Sequence, residues 1–189
     1  MVRSVTVAAC LVAICWLSQS VTMAADDIPL QENFDVSRYM GKWFENYRTK
    51  NIRFESGTDI QAIYTLKPDK TVNVTNRQYF PDKKAWDSIE GTARIPDPNQ
   101  PARLSVKFFW WQPGGDYRVL YTDYTNVAIV YSEFSILGFF KTKQAWILGR
   151  QQNLPQARID QAFEIFKNRT TLTKDDFLKT PTGQAPSLD

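Results

Sequence analysis

From residue 41 onward, apolar and polar positions alternate in short stretches rich in β-branched and aromatic residues, with turn-forming residues breaking them about every 8 to 12 positions. This rhythm predicts eight strands, over residues 41–50, 58–66, 71–80, 86–95, 102–110, 117–124, 126–132 and 143–150. Lys67-Pro68-Asp69-Lys70, Pro81-Asp82-Lys83-Lys84, Asp97-Pro98-Asn99-Gln100-Pro101 and Pro113-Gly114-Gly115-Asp116 combine preset φ with residues that tolerate the left-handed region, as hairpin turns require. Sequential hairpins without a long crossover favour an all-β, antiparallel up-and-down sheet, and eight such strands can close into a barrel around one small ligand. The period then changes. Ile159, Ala162, Phe163 and Phe166 form an apolar stripe at helical spacing, so a helix opened by Pro155 is expected to pack on the outside of the barrel. Thr173 and Asp176 mark a second, short helical turn, and the Pro- and Gly-containing stretch 180–189 reads as a mobile tail.

The first residues follow another pattern. Arg3 is the only charge before Asp26, and residues 5–17 are an apolar run too short for a membrane helix but of the right length for a secretory signal. Thr22-Met23-Ala24 offers a cleavage site, so residues 1–24 are expected to be a signal peptide and residues 25–179 the folded domain. Secretion follows: extracellular, or periplasmic in a bacterium. Both cysteines, Cys10 and Cys15, fall before that site, so the folded domain has to hold together without disulfides.

Composition narrows the chemistry. The chain contains no His, which removes Ser-His-Asp triads, Cys-His pairs and His-containing metal sites. Neither a cofactor nor a metal is expected. The net charge of +3 comes from 23 basic and 20 acidic residues that are interspersed, so no basic stripe suggests nucleic acid as a partner.

Three segments then become specific. Residues 33–45, running through Asp35-Val36-Ser37-Arg38-Tyr39-Met40-Gly41-Lys42-Trp43, resemble the first conserved region of the lipocalin family. Tyr121-Thr122-Asp123-Tyr124, leading into Val127-Ala128-Ile129-Val130-Tyr131, resembles the second, and Ala145-Trp146-Ile147-Leu148-Gly149-Arg150 the third. Within the family the likeness is to apolipoprotein D and the bacterial lipocalins, through residues 31–36, Val106-Lys107-Phe108 and Asn153-Leu154-Pro155. The resemblance covers about residues 31–178 and implies a 3₁₀ turn before the first strand. It also implies a structural set of Gly41, Trp43, Thr122, Asp123, Tyr124 and Arg150, with Arg150 lying over Trp43. The cysteine-free domain departs from the disulfides of apolipoprotein D-like proteins.

The same resemblance orients the strands, and alternation then sorts the inward residues. The expected ligand-contacting set is Tyr64, Asn76, Gln78, Trp86, Phe108, Tyr117, Tyr121, Trp146 and Leu148. Asn76 and Gln78 favour a ligand cavity over a filled core, because dry burial would leave their amides unpaired. Trp110 and Trp111 in one loop, and Phe139 and Phe140 in another, are expected at the barrel mouth as a membrane, lipoprotein or partner contact. Asn73 and Asn168 open glycosylation sequons. The function read from all this is binding and transport of a small hydrophobic ligand such as a fatty acid, sterol or other lipid. An interaction or defence protein acting through the mouth loops, and a lipid-modifying enzyme, stay open as alternatives. No catalytic residues are expected, and the oligomeric state is not legible.

Overall fold

The structure is a computed structural model that describes residues 28–111, 113–136 and 140–186. A single helical turn, α1 (Val36–Tyr39), leads into β1 (Gly41–Thr49), β2 (Thr58–Leu66), β3 (Val72–Phe80), β4 (Ala85–Arg94), β5 (Arg103–Lys107), β6 (Gly115–Thr122), β7 (Val127–Ile136) and β8 (Phe140–Gly149). After these come α2 (Gln156–Arg169), a 3₁₀ turn (Lys174–Asp176) and β9 (Phe177–Lys179). Each of β2 to β8 pairs antiparallel with the next, and β1 pairs with both β8 and β2, so the eight strands close into a barrel. Strand direction alternates, which gathers the connections after β1, β3, β5 and β7 at one end, the mouth. The opposite end is the floor.

Alternation produces two apolar faces on one wall. Along β7 and β8, Ala128, Val130 and Leu148 point inward, while Ile129, Tyr131, Ala145 and Ile147 point outward. The outward set is buried because Ile159, Ala162 and Phe166 of α2 cover it, together with Phe177 of β9. That double burial explains why 127–131 is a continuous apolar run instead of an alternating one.

Two irregularities alter the expected facing of residues. In β6 the register slips between Val119, which pairs with Val130, and Tyr121, which pairs with Ile129. The extra residue turns Leu120 and Tyr121 both toward the cluster under α2, so Tyr121 faces away from the interior, contrary to expectation. At the β3–β4 hairpin, the four-residue connection 81–84, with Lys84 at φ +50°, pairs Phe80 with Ala85 and Tyr79 with Trp86. Trp86 therefore shares a face with Tyr79, whose ring centroid is 5.6 Å away, and with Arg77, whose guanidinium lies 5.2 Å over the indole. It does not line the cavity. Strand parity counted along one strand missed this, because loop length sets hairpin register.

The chain after β8 holds two further differences. β9 was not expected; it pairs with Tyr47–Thr49 of β1, beyond the stretch Gly41–Phe44 that β2 occupies, and so extends the sheet where β1 and β2 diverge. The stretch from Thr180, expected to be mobile, is tied to the barrel as far as it is described. Asp59, buried at φ +54°, accepts from the backbone N–H groups of Gly183, Gln184 and Ala185 at 2.6, 3.0 and 3.0 Å. The expected signal peptide, 1–24, lies outside the described residues.

Candidate functional site

The floor is sealed by the residues of the three conserved segments. Gly41, at φ +91°, makes the turn from α1 into β1, a conformation that a side chain would strain. Trp43 is wholly buried two residues on, its indole N–H donating to the Tyr39 carbonyl at 2.9 Å. The Arg150 guanidinium stacks 3.7 Å from the Trp43 ring centroid and donates to the carbonyls of Tyr124 (3.0 Å), Lys42 (2.8 Å) and Met40 (2.8 Å). It combines cation–π attraction with satisfaction of carbonyls left open where α1 ends. Asp123 orders the β6–β7 turn by accepting from the backbone N–H groups of Thr125, Asn126 and Val127. Burial alone would raise its carboxyl, but the Val127 and Asn126 hydrogen bonds and Arg158 hold it below the usual range. Thr122 Oγ1 donates to Val127 O and accepts from Tyr124 N, each at 2.9 Å. Tyr124, at φ +66°, accepts from the Asp35 N–H at 2.9 Å through its hydroxyl.

Above this floor opens a cavity of about 650 Å³, within the range of about 300–1,000 Å³ usual for small-molecule sites. Tyr64, Asn76, Gln78, Phe108, Tyr117, Trp146 and Leu148 of the expected set line it. Its lower part is aromatic. The Tyr117 hydroxyl is hydrogen-bonded to those of Tyr39 (2.9 Å) and Tyr64 (3.0 Å). Burial pushes all three phenols up, Tyr64 to about 12, so the group stays neutral at physiological pH. Higher up, Gly91 leaves room for Phe108: a Cβ there would meet the ring at 2.8 Å and the Lys107 carbonyl at 2.6 Å.

The polar residues divide in their roles. Gln78 is spent on the loop between β1 and β2, accepting from Gly57 N at 2.8 Å and donating to Phe54 O at 3.1 Å. Asn76 keeps an amide oxygen with no partner. Several wall residues lie outside the expected set, among them Tyr39, Glu45, Glu55 and Gln144. Tyr39, on α1, carries no strand period, and Glu55 sits in a loop where alternation has no meaning. Glu45 follows Trp43 at inward spacing, and Gln144 shares parity with Trp146 and Leu148, so alternation alone could have found both.

At the mouth, Trp110 is 93% and Trp111 65% exposed, with Phe109 stacked on Trp111 at 5.4 Å. Phe139 lies outside the described residues, as does the side chain of Phe140. Asn168 is exposed near the end of α2, and Asn73 stands between the inward Val72 and Val74, on the outer face of β3.

Known proteins resemble this chain in sequence and in shape. Apolipoprotein D of Bos taurus is 46% identical over 137 residues, 72% of this chain and 71% of its own. The outer membrane lipoprotein Blc of Escherichia coli (strain K12) is 38% identical over 97 residues, 51% of this chain and 54% of its own. Lobster apocrustacyanin A1 superposes with a TM-score of 0.66 at 21% identity, over 79% of this chain and 80% of its own, a likeness of fold. The Lipocalin-like domain family model matches residues 34–179, and the chain belongs to the lipocalin family.

Proposed function

We propose that this protein is a carrier that holds one small lipid-like molecule in the barrel by reversible, non-covalent contact. The observation that supports it is the cavity itself, sealed at the floor, open at the mouth and lined largely by apolar and aromatic side chains. At roughly 25 cal/mol per Å², a ligand burying about 300 Å² of apolar surface gains about 7.5 kcal/mol before entropic costs, near the scale of micromolar binding. Catalysis is not part of the reading. The chain has no His, Glu45 is engaged by Arg48 and Thr180, and Glu55 by Trp146.

The reading extends to the route and the mouth. Residues 1–24 direct secretion, Asn73 and Asn168 are glycan sites if the source is eukaryotic, and the exposed Trp110 and Trp111 touch a membrane during ligand exchange. Replacing both indoles by Ser is expected to lower partitioning onto lipid vesicles.

Native mass spectrometry of protein purified from its source, followed by solvent extraction, tests the carrier reading. A discrete bound lipid mass is expected, with quenching of Trp146 emission as the extract is added back. Ala62→Trp, which fills the cavity from β2, is expected to weaken binding about tenfold or more while leaving thermal unfolding near that of the wild type. An empty protein that no lipophilic probe quenches would overturn it.

A further inference from the structure

The cavity wall contains one buried polar group that the apolar lining does not explain. Glu45 lines the cavity from β1 and Arg48 is buried beside it; Glu45 Oε1 accepts from Arg48 Nη1 at 2.7 Å and from Thr180 Oγ1 at 2.5 Å. Glu55 reaches them from the loop between β1 and β2, and its Oε2 accepts from Trp146 Nε1 at 3.0 Å. One guanidinium facing two carboxyls leaves an excess of one carboxyl in a setting of low dielectric, where an uncompensated charge is expensive. Other lining residues do not offset it. Among the described ones, Asp87 and Asp116 are also acidic, Asp116 is held by Arg103 (3.1 Å) and Arg118 (2.6 Å), and Arg77 donates through Nε and Nη2 to Gln61 Oε1 at 3.0 and 2.7 Å. Arg48 does not itself line the cavity.

A second observation comes from the next wall position. Gln144 is only 7% exposed, faces the cavity two residues before Trp146 on the same side of β8, and its amide has no hydrogen-bond partner among the described residues. A polar side chain that faces the cavity without a protein partner offers a ligand's polar end a place to bind.

Resting on the carrier reading, we propose that Glu55, Glu45, Gln144 and Trp146 form a head-group site for a long-chain amine, whose ammonium takes the place of a proton on Glu55. Without ligand, burial and then the neighbouring Glu45 carboxylate raise the Glu55 carboxyl well above its usual range, so a proton neutralises the excess. With ligand, R–NH₃⁺ enters, Glu55 gives its proton to solvent, and the net charge of the buried group is zero in both states. An ammonium has three donors to offer Glu55 and the Gln144 carbonyl, and the Trp146 indole lies beside them for cation–π contact. A carboxylate head meets the reverse: it adds a negative charge where the nearest guanidinium is already committed to Glu45. A hydroxyl head is tolerated without that gain.

Titration calorimetry of the full chain with dodecylamine, dodecanol and dodecanoate near neutral pH, in two buffers of different ionisation enthalpy, tests this. The amine is expected to bind about tenfold tighter than the alcohol, with the carboxylate weakest, and only the amine is expected to release protons. In Glu55→Gln the ratio of amine to alcohol affinity is expected to fall to about one and the proton release to vanish. Thermal unfolding of the variant checks that it is folded. Dodecanoate binding as tightly as the amine would overturn the proposal, as would a Glu55→Gln protein that keeps the full amine preference. If all three probes bind alike, the cavity carries chains and the head-group assignment alone falls. If none binds, the carrier reading falls and takes this inference with it.

Discussion

At the floor, Arg150 bonds to five carbonyls and covers an indole, and Asp123 satisfies three backbone N–H groups of a single turn. Halfway to the mouth, the Asn76 amide oxygen is buried without a partner, Gln144 faces the cavity, and burial together with the neighbouring Glu45 raises the Glu55 carboxyl well above its usual range. Both regions are buried and both are polar. They differ in whether the protein completes its own hydrogen bonds, and that separates a closed structural device from a wall with open polar groups.

The contrast can be broken most forcefully at the floor. Trp43→Ala removes the plate on which Arg150 lies, and a loss of about 3–5 kcal/mol is expected in urea unfolding. Lipid affinity per folded molecule should persist, since Trp43 does not line the cavity. A variant of normal stability but abolished binding would show the floor to be part of the site. Asp59→Ala comes next: freeing three backbone N–H groups should cost about 2–3 kcal/mol and expose the chain after Thr180 to limited proteolysis.

Smaller effects depend on pH. The lowered Asp123 carboxyl contributes stability above its unfolded pKa of about 3.9, and that contribution is lost as pH falls through the folded value. Asp123→Asn should therefore flatten the acid limb of the stability curve. Glu55 has the opposite sign, because its folded value is raised: its neutral form fits the fold, and stability is lost as pH rises above the unfolded value of about 4.3. The smallest change expected is a gain for Glu55→Gln that grows toward alkaline pH in thermal unfolding. A loss there would mean that Glu55 is satisfied as the charged form.

These regions also differ in how far the amino-acid order alone reveals them. The floor depends on three short local segments, and their resemblance to a known family pointed to Gly41, Trp43 and Arg150, whereas the carbonyls that Arg150 reaches carry no signal in the sequence. The eight barrel strands and the outer helix were legible because both are periodic. The wall was read in part. Tyr64, Phe108, Tyr117 and Trp146 follow from alternation, whereas Tyr121 and Trp86 do not, because a bulge and a hairpin register are settled by the partner strand. Glu55 belongs to a loop and carries no period at all. β9 has only three residues, too few for alternation to rise above chance, and its partner lies far away in the chain.

That last distance bears on how the protein comes to be folded. β1 meets β2 almost at once, but Glu45 must wait for Thr180, 135 residues downstream. Contacts of such long sequence separation carry the largest loop-closure entropy and form late, which puts this topology among the slow folders. The wall beside Glu45 and Arg48 is thus one of the last parts of the barrel to be completed, and a folding chain exposes that charged seam, together with the apolar interior behind it, until β9 arrives.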